Sequence, residues 1–80
     1  MNLETLFKAT DYLRTNYADA PLEENACDLL FTISTLAEVL SVQAFLNTYP
    51  DDEFMTERLT KALTVYAEND IDDTLESFLG

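Results

Sequence analysis

Residues 22–49, LEENACDLLFTISTLAEVLSVQAFLNTY, decide the fold. Ala26, Leu30, Ile33, Ala37, Leu40 and Ala44 recur at spacings of three and four and form one stripe. Leu29, Leu36, Val39 and Phe45 widen it until only a narrow polar strip remains, marked by Asp28, Thr32, Thr35 and Glu38. A helix surrounded by other helices reads this way. As a single helix the stretch would run about 40 Å at ~1.5 Å per residue, which is long for a globule of 80 residues. β-Branched and small polar residues near Thr35 and Ser41 offer places for a break. One long helix and two shorter ones are both consistent with the pattern.

Proline bounds the stretch on either side. Upstream, Asp19-Ala20-Pro21 stops a first helix over about residues 3–17, because proline disfavours helix in the residue before it. That helix places Leu3, Leu6, Phe7, Leu13 and Tyr17 on one face, with Asn2 positioned to cap it, and the next helix starts near Leu22. Downstream, Tyr49-Pro50-Asp51-Asp52-Glu53 joins a helix-stopping proline to three acids that complement the dipole of a helix beginning at about residue 52. Met55, Leu59, Ala62, Leu63 and Tyr66 form its inner face. Asn69-Asp70 interrupts the pattern, and Asp70 is placed to cap a last helix through Ile71, Leu75, Phe78 and Leu79. No alternating run or Asn-Gly or Asp-Gly turn signals a strand. The fold class expected is all-α: a compact bundle of four or five short helices, forming one domain over residues 1–80.

The chemistry this composition excludes is informative. There is no histidine, the usual general base at neutral pH and the commonest zinc ligand. The only glycine is Gly80, so no glycine-rich phosphate loop exists. Cys27 stands alone and can form no disulfide within the chain. Acidic neighbours at Glu23, Glu24 and Asp28 favour its neutral thiol, and it reads as a core or boundary residue. Numbered from Asp70 as a calcium loop, the chain has Leu75 where glycine is required and ends before the terminal glutamate. No enzyme, cofactor or metal site is expected. The N-terminus lacks the pattern of a signal peptide, and the longest uninterrupted apolar run is Leu29-Leu30-Phe31. A cytoplasmic protein outside the membrane is expected.

Sixteen acids against four cations give a net charge of −12. Residues 51–80 hold nine of those acids against Arg58 and Lys61. Such a field repels nucleic acid and anionic membranes and attracts basic protein surfaces. The candidate partner-binding residues are Asp51, Asp52, Glu53, Glu57, Glu68, Asp70, Asp72, Asp73 and Glu76. On continuous helix, Glu68, Asp72 and Glu76 would line up about 6 Å apart, comparable to successive phosphates on a nucleic-acid strand. Two expectations follow from the acids. They solubilise an apolar bundle, or they mimic a phosphate backbone and block a cationic nucleic-acid-binding protein.

In size, acidity and lack of histidine the chain resembles the phage-encoded inhibitors of bacterial defence, the anti-CRISPR and anti-restriction proteins. The resemblance rests on size and charge, carries no residue over, and implies an inhibitor, in several cases a nucleic-acid mimic. The other expectation is a helical adaptor or homodimer that binds through an apolar surface built from Tyr12, Tyr17, Phe31, Phe45, Tyr49 and Phe54.

Overall fold

A computed structural model describes residues 2–20 and 23–80. Four helices follow one another: α1 (Leu3–Tyr17), α2 (Glu24–Thr48), α3 (Glu53–Glu68) and α4 (Ile71–Leu79). No strand occurs among the described residues. This is an all-α bundle of four helices. The expected start of the second helix near Leu22 lies outside the described residues.

Three of the four helices begin where a side chain satisfies their first backbone donors. Asn2 Oδ1 accepts from the Thr5 backbone N–H at 2.8 Å and from the Thr5 hydroxyl at 3.0 Å. The Glu23 carboxylate accepts from the backbone N–H groups of Asn25 and Ala26 at 3.0 and 3.3 Å. Asp52 accepts from Met55 N–H at 2.9 Å. α4 departs from expectation. Asp70 precedes it in the left-handed region, φ 49° and ψ 48°, and its side chain makes no capping bond. An N-cap side chain reaches the free N–H groups from extended backbone, which Asp70 does not adopt.

α2 is one unbroken helix and packs against all three others. Its hydroxyls bond within the helix and do not break it. Thr32 donates to Asp28 C=O at 2.8 Å, Thr35 to Phe31 C=O at 3.0 Å and Ser41 to Ala37 C=O at 2.8 Å. A hydroxyl so bonded to its own helix no longer needs water. The expected orientation of α2 is therefore reversed in part. Thr32 and Thr35, read as a polar strip, are buried at 2% and 8% exposure, together with Leu29, Leu36 and Val39. Leu30 and Phe31 are 53% and 48% exposed, and Ala44 is also exposed. Cys27, expected in the core or at its boundary, is exposed as well. By length and composition alone α2 is long and apolar enough to cross a membrane. Its threonines and serines interrupt the apolar runs without adding charge.

The core joins Ala9 of α1, Leu29, Leu36 and Val39 of α2, Ala62 and Tyr66 of α3, and Ile71 and Leu75 of α4. Leu6, Leu13 and Tyr17 pack against it from α1, whereas Leu3 and Phe7 lie further round that helix and remain largely exposed. The Tyr12 and Phe78 rings meet edge to face at 5.7 Å and fasten α4 to α1. The molecule measures 43 × 22 × 22 Å. Its long axis suits α2, whose 25 residues span about 37 Å.

Candidate partner-binding surface

All four cations of the chain are committed to its own acids. Lys8 pairs with Glu4 at 3.1 Å, Arg14 with Asp11 at 2.7 Å and Lys61 with Glu57 at 3.4 Å, each within one helix. Arg58 crosses from α3 to α2 and holds both carboxylate oxygens of Glu38. That bidentate hydrogen bond keeps the Glu38 carboxyl below the usual carboxylate range. The four pairs leave twelve acids without a cation, the whole of the net charge of −12.

The nine candidate acids fall into two groups at the ends of α3. Asp51, Asp52, Glu53 and Glu57 surround its N-terminus, and Glu68, Asp70, Asp72, Asp73 and Glu76 surround its C-terminus and α4. The 16 residues of α3 separate the groups by about 22 Å. The proposed row of Glu68, Asp72 and Glu76 does not form. Asn69 and the left-handed Asp70 end α3 and redirect the chain, so Glu68 belongs to a different helix from Asp72 and Glu76. Only Asp72 and Glu76 keep the four-residue spacing on one helix, and both line a hollow of about 310 Å³ with Lys8.

Three of the nine have work within the fold. Asp52 caps α3, Glu57 pairs with Lys61, and Asp72 accepts a hydrogen bond from the buried Tyr66 hydroxyl. Burial, then that bond to a carboxylate, pushes the Tyr66 hydroxyl well above its ordinary pKa. Asp51, Glu53, Glu68, Asp70, Asp73 and Glu76 are exposed and in no ion pair with a described residue. Among the described residues no group of three or more acids or cysteines is placed to hold a metal ion.

No protein-family model, curated protein or solved structure matches this chain. The surface must be read from its own geometry.

One contribution escaped the sequence reading. The Glu38–Arg58 contact fixes the antiparallel register of α2 and α3, and ten residues onward along α3 and ten back along α2 lie Glu68 and Asp28. The exposed Glu24 and Asp28 therefore sit at the same end of the bundle as Glu68 and Asp70. The sequence signal was a cross-helix Arg–Glu pairing, which intrahelical spacing rules do not seek.

Proposed function

We propose that this chain is a small acidic inhibitor or adaptor without catalytic activity, one that binds a basic protein surface. Its mechanism is nucleic-acid mimicry: the acids around α4 and the two ends of α3 occupy the cationic groove of a nucleic-acid-binding protein, in the manner of the anti-CRISPR and anti-restriction inhibitors. It works in the cytoplasm and does not itself bind nucleic acid. The observation that carries this reading is charge commitment. Every lysine and arginine is paired internally, so the outward field is that of unopposed carboxylates.

The test is affinity capture from the native host followed by charge reversal. Glu68, Asp70, Asp73 and Glu76 are changed together to Lys, leaving Asp72 to hold Tyr66. Binding to the captured protein should fall at least about tenfold at ~0.1 M salt, and its salt dependence should flatten. Added DNA or RNA should compete with the unmodified chain for the same partner. Binding that survives reversal, or a partner with no basic nucleic-acid site, rejects the mimic.

A further inference from the structure

The outer face of α2 is left exposed by the bundle. Leu30, Phe31, Ser34, Ser41, Ala44 and Phe45 recur at helical spacing on the side turned away from the core, and all are exposed. Among the described residues no other helix covers them. Between Ser34 and Ala44 the face is lined by small side chains and forms one wall of a groove of about 640 Å³, with Leu3 and Leu6 of α1 on the other side. Small residues let a second helix approach to about 8 Å.

We propose that two copies associate through this face, with their α2 helices antiparallel about a two-fold axis between Ala37 and Glu38. Three observations select a copy of the chain over another occupant. The first is order: large, small, small, large along the strip. Around that midpoint Leu30 lies opposite the partner's Phe45 and Ser34 opposite Ser41, so large side chains meet at the two ends of the strip and small ones at its centre, with Phe31 and Ala44 on its flanks. A two-fold interface requires such self-complementarity.

The second is charge. From Leu29 to Tyr49 the only ionised side chain is Glu38, and Arg58 neutralises it. Elsewhere, with a net charge of −12, two copies repel. At the axis the two Glu38–Arg58 pairs come together, each arginine facing the other copy's glutamate.

The third is area. Phe31, Phe45 and Tyr49 are 48%, 36% and 58% exposed, which leaves roughly 70–130 Å² on each aromatic. With Leu3, Leu30 and the small residues between them, the strip offers roughly 600 Å², about three quarters of the ~800 Å² per partner of a standard interface.

Sedimentation equilibrium of the full chain tests the proposal, at low and at ~0.5 M salt, where repulsion is screened. The expected mass rises with concentration from 9.1 kDa toward twice that value, and at lower concentration in the higher salt. Ser34→Glu and Ala44→Glu, both at exposed positions, should keep their helical circular dichroism and weaken association at least about 100-fold by burying an unpaired charge. Register is tested by disulfide trapping in a Cys27→Ser background. A mixture of Ser34→Cys and Ser41→Cys chains should cross-link to each other in preference to either alone. A chain that stays monomeric throughout, a dimer that persists in both glutamate variants, or homodisulfides in excess of the mixed one would overturn the assignment. Binding to neutral phosphatidylcholine vesicles by a chain that never dimerises would give the strip to lipid instead.

Discussion

Tyr66 and Asp72 tie folding to the acidic surface at the level of single atoms. The ring is 7% exposed, and its hydroxyl donates to a carboxylate on the next helix. The charged phenolate is disfavoured twice, by burial and by that carboxylate, so the folded pKa lies above the ~10 of an unfolded tyrosine. The sign follows: the stabilisation is complete below about pH 10 and is lost as pH rises through the folded value. Tyr66→Phe should cost about 0.5–1.5 kcal/mol near neutrality, the worth of one hydrogen bond whose acceptor can return to water. It should also remove much of the decline in melting temperature above about pH 10 that the unmodified chain shows. Parallel alkaline melts of the two proteins check this, and identical slopes would place the titrating group elsewhere. Asp72 thus serves the fold as well as the surface, and its reversal to lysine would mix a stability effect into any binding measurement.

The orientation of α2 decides which surface the protein shows. Leu36 is fully buried and Leu30 is half exposed, although the repeat put Leu30 in the main stripe and Leu36 only among the residues that widen it. Leu36→Ala should therefore cost about 2–5 kcal/mol through lost contacts and a cavity, and Leu30→Ala less than about 1 kcal/mol. Chemical denaturation at concentrations too low for association measures both, and equal costs would put both faces inside. The ends of the helices were legible because Asn2, Pro50 and Asp52 act through local chemistry: a cap, a missing N–H and a dipole. The inward face of α2 was not. Apolar or small residues surround that helix almost completely, so periodicity carries little directional signal. Packing then chose the side on which two threonines could hide their hydroxyls in their own helix. The exposure of most of the candidate acids was legible for the opposite reason, since charge must face outward wherever no cation answers it. Their alignment was illegible, because one left-handed residue, Asp70, sends Glu68 and Asp72 onto separate helices.

Across the whole molecule, shape and charge are linked. The radius of gyration, 13.6 Å, exceeds the roughly 12 Å of a globule of this length. An elongated bundle spreads its carboxylates further apart than a sphere would, but the turns still concentrate them. Acids one helical turn apart, such as Asp72 and Glu76, lie about 6 Å from each other, where two unit charges in water repel by roughly 0.7 kcal/mol before screening. The unfolded chain relaxes this repulsion by expanding. Salt should therefore favour the folded state as the Debye length shrinks from about 30 Å at ~0.01 M to about 3 Å at ~1 M. A gain of about 1 kcal/mol corresponds to a rise of about 4–8 °C in melting temperature for a domain of this size. The Ala44→Glu chain is the right one to melt, because removing self-association leaves intramolecular repulsion as the quantity that salt changes. Sodium chloride and potassium chloride should act alike, since screening depends on ionic strength and no cation site is invoked. A melting temperature that stays flat or falls across that range would show that the acids do not strain the fold.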